Sequence, residues 1–380
     1  MQIKLVFIYY ILLNLMSSFS SLSFLPLSET LRGQSLVFAT IFLFICSFTE
    51  ISRNKYFIKL LLYFIVVFIS VVYIQKRPLS TVCSWCAPLT IYFSLSDREY
   101  KYIKPIYWFF IIFFIANTGI SIFERITGER LLEVDYNNEI LVQQMNISEE
   151  EGDTSFRSFS LLGHPLTNAN IMAFMAFIIF YTKSSISKYK LPLLILGTIS
   201  LFCFNARAAI VITIILLIPT IKKTIEDNRK HKLFSIIIII ILFTTAIIHF
   251  SSFEGRLGEG FADESSLVRL TAIQYFFSIP LYNLIIGGNK IVAGENGILM
   301  ILEQFGLILG GLKIYLEVLF AYTFLKDNLK NGKWTIILSL FLIGTCNNNL
   351  YYPLVYPFFI LSLVFIVKYS NIIYKNEDII

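Results

Sequence analysis

Residues 56–75 read YFIKLLLYFIVVFISVVYIQ, a run of twenty residues in which Lys59 carries the only charge. A transmembrane α-helix needs about 20 consecutive, predominantly apolar residues to cross the hydrocarbon core of a bilayer. The stretch has that length and that composition. It therefore predicts a helix that spans a membrane.

Other parts of the chain repeat this pattern. The protein has 380 residues, of which 56% are hydrophobic and 15% charged, with a mean hydropathy of +0.73. A water-soluble globule of this length needs more polar residues to cover its surface. We predict an all-α polytopic membrane protein, a single transmembrane domain over 1–380, with about twelve spans, or ten or eleven if some of the short runs do not cross. The apolar runs lie at about 3–22, 34–49, 56–75, 79–96, 103–122, 161–182, 191–205, 207–221, 234–250, 296–325, 334–346 and 354–370.

The first run, MQIKLVFIYYILLNLMSSFSSLS, has two interpretations. Lys4, an apolar core and then small residues are typical of a secretory signal peptide. No A-x-A-like cleavage site follows, and many further spans come after it. These features favour an uncleaved first span.

The distribution of lysines predicts the orientation in the membrane. Lysines cluster in short loops between apolar runs, and cytoplasmic loops of membrane proteins carry an excess of Lys and Arg. Both termini are therefore predicted to be cytoplasmic, and the net charge of +6 gives no reason to expect nucleic acid. Two long periplasmic loops result, an acidic one at 123–160 and another at 251–295. The second contains an amphipathic helix at about 265–280, predicted to lie on the outer membrane interface through Leu267, Leu270, Ile273 and Phe277.

The arginines are distributed differently from the lysines. In the predicted topology eight of eleven arginines, but only three of twenty lysines, lie on the outer side. Membrane orientation treats the two residue types alike. Because a guanidinium group grips phosphate in a planar, bidentate manner, the bias indicates a phosphate-bearing ligand at the outer face. Ion pairing with the acidic loop is the simpler explanation for Arg125 and Arg130, which lie among Glu124, Glu129 and Glu133.

Two candidate site clusters adjoin apolar runs at the outer face. The stretch FRSFSLLGHPLTNANI places Arg157 and His164 before the sixth span, with Pro165 suited to its first turn. His164 would lie near the positive end of a helix dipole, which favours an anion; a packed, hydrogen-bonded histidine is the alternative. Arg207, in FNARAAI, lies between two apolar runs, where an ionisable residue is costly without a partner. The alternative for Arg207 is a charge at the tip of a tight helical hairpin.

The loop before the tenth span supplies further candidates. Arg256 lies in a glycine-rich stretch and Arg269 on the amphipathic helix, and anchoring to lipid headgroups is the alternative for both. Glu295 and Asn296 lie where the tenth span begins, with Glu303 two turns further along. A partly buried carboxylate at the mouth of a span is suited to act as a general base. The alternative for Glu295 is that it caps its helix.

No metal and no cofactor is predicted. Cys83 and Cys86 form a CxxC pair, but no second pair completes a zinc site. Two small packing residues one helical turn apart are the simpler interpretation. The chain has no GxxxxGK loop, no HExxH and no DxD in a cytoplasmic domain, so any chemistry is expected at the outer face, without ATP.

Taken in order over residues 155–315, these clusters resemble the bacterial O-antigen polymerase and O-antigen ligase superfamily of membrane proteins. The resemblance begins with Arg157 and the LGHPxxNA start of a span, and continues with NARAA around Arg207. A long outer loop then holds R-x4-Q-x5-P ahead of a Gly-Gly pair, and N-x9-G follows. The residues of these last two motifs are Arg269, Gln274, Pro280, Gly287, Asn296 and Gly306.

The resemblance implies a fold of the GT-C type, with helices around an outward-facing cavity, in the bacterial inner membrane. It implies a substrate glycan carried on undecaprenyl pyrophosphate, and a flippase and a chain-length regulator protein as partners besides membrane lipid. The implied reaction is a metal-independent, inverting glycosyl transfer. Glu295, or less readily His164, would accept the proton of the attacking hydroxyl. The pyrophosphate would be bound by Arg157, Arg207, Arg256, Arg269 and Asn296.

One departure from the family pattern bears on the choice of activity. Ligases have His before the Asn that opens the tenth span, whereas this chain has Glu295. This favours a polymerase, which adds the growing glycan to a new lipid-linked repeat unit, over a ligase, which transfers glycan to lipid A–core. A lipid-linked oligosaccharide flippase or another transporter is the alternative from a different class. Transporters tend to have repeated halves, and the halves of this chain are unalike.

Overall fold

The computed structural model describes residues 56–94, 100–131, 158–161, 165–181, 190–204, 209–210, 213, 264–289, 296–326, 334 and 337. Within these ranges every regular element is a helix, and the helices are numbered α1 to α8 in chain order. They are α1 (Phe57–Phe68, continued by a π-helical turn, Ile69–Ile74), α2 (Leu79–Ser94), α3 (Tyr100–Thr127), α4 (Pro165–Tyr181), α5 (Lys190–Cys203), α6 (Glu264–Ser278), α7 (Leu281–Ile286) and α8 (Gly297–Lys326).

Three stretches of the described helices are long and apolar enough to cross a membrane. They are Phe57–Ile74, Phe110–Thr127 and Gly297–Thr323. A further apolar helix, Pro192–Cys203, is shorter. Inside a bilayer every backbone N–H and C=O group must be bonded within the protein, and a helix achieves this within its own segment. The chain is therefore a helical membrane protein, and the helix predicted from residues 56–75 is confirmed.

Prolines set several of the helix boundaries. α4 begins at Pro165, as predicted, because a missing N–H costs nothing in the first turn of a helix. α6 ends at Ser278, and Pro280, with its φ of −54°, precedes the short helix α7. The helix predicted at about 265–280 is thus present as Glu264–Ser278.

The helices pack in two groups. The first consists of α3, α4 and α5, and the second of α1, α2, α7 and α8, with α6 lying against α8. In the first group Gly197 of α5 admits the ring of Phe114, whose Cζ would lie 2.5 Å from a Cβ at that glycine. Small residues of this kind let helices approach closely in a membrane, where the hydrophobic effect does not drive helices together.

α2 contributes an aromatic and two thiol side chains to the second group. Trp85 packs edge-to-face on Phe305 of α8, with ring centroids 5.9 Å apart. Cys83 and Cys86 are both buried, and neither forms a disulfide. These two cysteines are the packing residues that the sequence predicts.

The π-helical turn at the end of α1 fixes the position of Ile74. The Gln75 N–H donates to Ser70 O at 2.9 Å, a bond that spans one residue more than an α-helical bond. Ile74 then lies against Gly288, in the loop after α7. A Cβ at Gly288 would come within 2.9 Å of Ile74 Cγ2, so the loop packs directly on the end of α1.

Candidate functional site

Two of the seven predicted site residues lie in the part of the chain that the structure describes. Arg269 lies on α6, and Asn296 immediately precedes α8. The other five lie outside the described residues: Arg157, His164, Arg207, Arg256 and Glu295. Described residues lie within three positions of four of these five; for Arg256 the nearest described residue is Glu264.

Asn296 is the N-cap of α8. Its Oδ1 accepts a hydrogen bond from the Leu299 N–H at 3.1 Å, and its backbone oxygen accepts one from the Met300 N–H at 2.9 Å. A side-chain acceptor in this place satisfies one of the N–H groups that the start of a helix leaves without an intrahelical partner. Asn296 therefore supplies the cap for which the sequence also offered Glu295.

Asn296→Ala is expected to lower the free energy of unfolding by about 1 kcal/mol, because the Leu299 N–H loses its acceptor. Asn296→Asp keeps an acceptor oxygen in the same place and is expected to unfold like the native protein. Thermal unfolding of the purified variants in detergent micelles measures both effects. Equal losses in the Ala and Asp variants would contradict the capping role.

A buried carboxylate organises the short segment between α3 and α4. Glu124, at the end of α3, is 0% exposed. Its Oε2 accepts hydrogen bonds from Ser158 Oγ at 2.6 Å and from the N–H groups of Phe159 and Ser160 at 2.9 Å each. Its Oε1 accepts a further bond from the Leu131 N–H at 3.2 Å. We name this arrangement the Glu124 anchor.

Two asparagines complete the hold on this segment. Ser160 Oγ lies 2.7 Å from Asn117 Oδ1 and 3.0 Å from Asn117 O, and the Leu161 N–H donates to the same Oδ1 at 3.1 Å. From α4, the Asn168 amide donates to Phe159 O. Ser160 has a φ of +44°, in the left-handed region that is costly for a residue other than glycine. The surrounding bonds hold it there.

The same segment is bonded to the end of α5. The Ser158 N–H donates to the backbone oxygen of Cys203 at 3.1 Å. Cys203 is the last residue of α5, where carbonyl groups have no partner within the helix. Arg157 precedes Ser158 by one residue, and Arg207 follows Cys203 by four. This bond therefore joins the two stretches of chain that lead to two of the predicted arginines.

The sequence interpretation missed the part that Glu124 plays, because it treated this residue as an ion-pairing partner of nearby arginines. A usable signal was present. Asn117, Ser121 and Glu124 follow one another at spacings of four and three, which places them on one face of α3. A polar stripe of this kind in an apolar helix indicates a polar contact inside the protein.

Arg130 also contacts this segment. It lies over the ring of Phe159, with its Cζ 4.1 Å from the centroid.

Two glycines of the predicted motif meet where α7 crosses α8. α8 is broken at Gly306, which has φ +80° and ψ 163°, a backbone conformation essentially confined to glycine. A Cβ at Gly306 would lie 2.7 Å from Ile286 C, and one at Gly287 would lie 2.6 Å from Phe305 C. Both positions are therefore in backbone-to-backbone contact, which excludes any side chain.

The loop after α7 satisfies the carbonyl groups next to the break. The Gly288 N–H donates to Gln304 O at 2.9 Å, and the Asn289 N–H donates to Glu303 O at 3.2 Å. The Asn289 side chain donates to Glu303 O at 3.3 Å, and Gln304 Nε2 returns a bond to Asn289 O at 2.8 Å. An unsatisfied backbone group in a bilayer costs several kcal/mol, so the loop and the break in α8 stabilise each other.

An ion pair lies in α8 beyond the break. Lys313 is 0% exposed, and its Nζ lies 2.6 Å from Glu317 Oε1. The Tyr63 hydroxyl of α1 donates to the same oxygen at 2.8 Å. The Lys313 ammonium also lies over the rings of Trp85 and Phe305, at 4.2 and 5.6 Å from their centroids. The pair therefore links α1, α2 and α8 through contacts that replace water around both charges.

α6 presents apolar side chains away from the protein. It buries Ala272 and Phe276, whereas Phe277 is 77% exposed. Three of the four residues in the predicted apolar stripe have described side chains, and all three are exposed: Leu270, Ile273 and Phe277. A helix that lies on a membrane surface exposes an apolar stripe in this way.

The function of this chain is inferred from its own residues. No model of a known protein family matches the chain, and no curated protein does. Within the described ranges, no three His, Cys, Asp or Glu side chains gather as a metal site requires.

Proposed function

We propose that this chain is an oligosaccharide repeat unit polymerase of the bacterial inner membrane. It would transfer the growing glycan from undecaprenyl pyrophosphate to the terminal sugar of a new lipid-linked repeat unit at the periplasmic face. About twelve spans, cytoplasmic termini and a GT-C arrangement around an outward-facing cavity belong to the same proposal. Support comes from the order of motifs between Arg157 and Gly306 and from the contacts described above.

The observation that carries the proposal is the hydrogen bond from the Ser158 N–H to Cys203 O. It ties together two stretches of chain, each of which leads within four residues to a predicted pyrophosphate-binding arginine. Consecutive Cα atoms are about 3.8 Å apart, and we propose that Arg157 and Arg207 bind the same ligand. Two guanidinium groups suit a pyrophosphate, because each of its two phosphates accepts bidentate contacts.

In the proposed reaction the acceptor hydroxyl attacks the anomeric carbon of the donor from the side opposite the pyrophosphate. The bond between carbon and pyrophosphate oxygen breaks, and its electron pair leaves with the pyrophosphate. The outer arginines stabilise the charge that develops there. Glu295, with His164 in second place, takes the hydroxyl proton. Because pyrophosphate leaves as an anion, no general acid is required.

A transporter of lipid-linked oligosaccharide is the second candidate, and two described features favour it. α8 is broken at Gly306 inside a stretch that can cross a membrane, and Lys313 and Glu317 lie in the same stretch. Discontinuous helices and intramembrane charges mark the substrate path of many transporters. Here, however, Lys313 is fully enclosed and paired, and the loop after α7 satisfies Glu303 O and Gln304 O beside the break. Both features thus have a structural explanation.

Deletion of the gene is expected to leave one capped repeat unit and no ladder of longer glycans on a lipopolysaccharide or capsule gel. A missing polymerase still allows single repeats to be transferred, whereas a missing ligase or flippase removes every repeat. The gel therefore separates a polymerase from a ligase or a flippase. A native ladder in the deletion strain would contradict the proposal.

Plasmid-borne variants in the same strain test the assigned residues. Arg207→Ala and Glu295→Gln are expected to restore no ladder while the protein still reaches the membrane. Removing one group that stabilises developing charge typically costs about 10²–10³-fold in rate. Arg229→Ala is the matched control, because the predicted topology places that arginine on the cytoplasmic side. A ladder that survives a site variant removes that residue from the site.

A further inference from the structure

The Glu124 anchor has a composition that simple packing does not require. An apolar side chain would fill the same volume at the end of α3 without the cost of burying a carboxylate. Glu124 instead accepts hydrogen bonds from three donors within Ser158–Ser160. They are the Ser158 hydroxyl and the backbone N–H groups of Phe159 and Ser160. Only a carboxylate offers two oxygens that act purely as acceptors. The residue type therefore matches the task of fixing a backbone.

What the anchor fixes is the segment that immediately follows Arg157. Ser158 is 0% exposed and is bonded on two sides, through its hydroxyl to Glu124 and through its N–H to Cys203 O. The latter bond reaches the last residue of α5, four residues before Arg207. Glu124 thus holds the described segment that connects the two chain stretches of the proposed site.

The helices that frame the Glu124 anchor are closely packed. α5 contacts α3 where Gly197 admits the ring of Phe114, ten residues before Glu124 on α3. Asn117, one heptad before Glu124 on the same helix face, holds Ser160 and Leu161. A side chain presented from such a frame can set the geometry of a binding group to well within 1 Å, which transition-state stabilisation requires.

We propose that Glu124 is a positioning residue for the pyrophosphate site, acting through Arg157 by fixing Ser158–Ser160 between α3 and α5. This role rests on the proposed function. It assigns no contact between Glu124 and the substrate. Its carboxylate accepts hydrogen bonds from the backbone of the segment, and the arginine before that segment binds the leaving group.

Glu124→Gln is the first test, with Glu129→Gln as its matched control, because Glu129 is an exposed acid two residues after the end of α3. Gln has nearly the same shape, but its NH₂ group cannot accept hydrogen bonds. Hydrogen–deuterium exchange of the full-length protein in detergent micelles is expected to show at least about tenfold faster exchange at Phe159 and Ser160. The Glu129→Gln variant is expected to match the native protein. Native exchange rates in Glu124→Gln would overturn the anchor.

The second test separates positioning from general stability by a double-mutant cycle with Arg157→Lys. The measured quantity is the initial rate of polymer formation from purified lipid-linked repeat units. Glu124→Gln is expected to lower this rate about 10²-fold in the native background, but less than about threefold in the Arg157→Lys background, because the two residues act as one unit. An equal loss in both backgrounds would mean that Glu124 only stabilises the fold, and would overturn the proposal.

If Glu124→Gln does not fold, a more conservative variant of the same residue replaces it in both tests. Glu124→Asp keeps both acceptor oxygens but is one methylene shorter, and the same cycle and exchange measurements apply to it. Faster exchange with an unchanged rate in either variant overturns the positioning role and leaves the activity intact. A native protein that forms no polymer overturns the proposed function together with the positioning role, whereas the exchange experiment still reports on the anchor by itself.

Discussion

Gly306→Ala is expected to lose about 4 kcal/mol or more of stability, a large fraction of the roughly 5–15 kcal/mol by which a typical protein is stable. Two effects combine at this position. The backbone has φ +80° and ψ 163°, which strains any residue with a Cβ. The new Cβ would also lie 2.7 Å from Ile286 C, and backbone atoms cannot move aside as a flexible side chain can. The expected result is little or no monodisperse protein after extraction into detergent.

Gly311→Ala is the matched control for this prediction. Gly311 lies five residues further along the same helix, and a Cβ there would meet no atom within 4 Å. Alanine is the better helix former, so this variant is expected to fold with equal or slightly greater stability. Both proteins are compared by yield and by thermal unfolding in the same detergent. A Gly306→Ala protein with the unfolding temperature of Gly311→Ala would contradict the described crossing of α7 and α8.

Glu317→Leu is expected to destabilise the protein by about 3–5 kcal/mol, because it leaves the Lys313 ammonium buried without its anionic partner. Lys313 is fully enclosed, and only its contacts with the rings of Trp85 and Phe305 would remain to offset the missing charge. Lys313→Met is expected to cost less, because Glu317 is 18% exposed and keeps the hydrogen bond from Tyr63.

The double variant Lys313→Met/Glu317→Leu distinguishes a charge effect from a packing effect. Replacing both members of a buried ion pair by apolar residues of similar size is often neutral or stabilising. The double variant is therefore expected to be more stable than Glu317→Leu alone, close to the native protein. Thermal unfolding of the four proteins completes the cycle. If the losses of the two single variants add in the double variant, the pair does not act as a unit.

The parts of the fold that could be read from sequence are those with local causes. The apolar length of residues 56–75, the proline at position 165 and the proline at position 280 each determine a helix or its boundary through the neighbouring backbone alone. The same holds for Asn296, whose capping bond reaches only three residues along the chain. These local features therefore predict where several of the described helices begin and end.

The features that sequence reasoning missed depend on contacts between distant segments. Gly306 ends the N-x9-G motif within the predicted run 296–325, but the break in the helix is explained by the backbone of α7 that contacts it there. Lys313 is one of the three lysines that the predicted topology places on the outer side, and the sequence itself offers Glu317, at the i+4 position, as its partner. The third member of that cluster, Tyr63, lies 254 residues from Glu317 and could not be assigned from spacing.

The hydrogen bond between Tyr63 and Glu317 has a consequence for biosynthesis, because its two ends are 254 residues apart. A ribosome adds about 5–20 residues per second, so α1 is in place roughly 13–50 s before Glu317 has been synthesised. The Glu124 anchor joins residues 34 to 36 positions apart, a separation covered in about 2–7 s at the same speed. α3, α4 and α5 can therefore assemble while translation continues, whereas the group around Lys313 closes only after α8 has emerged.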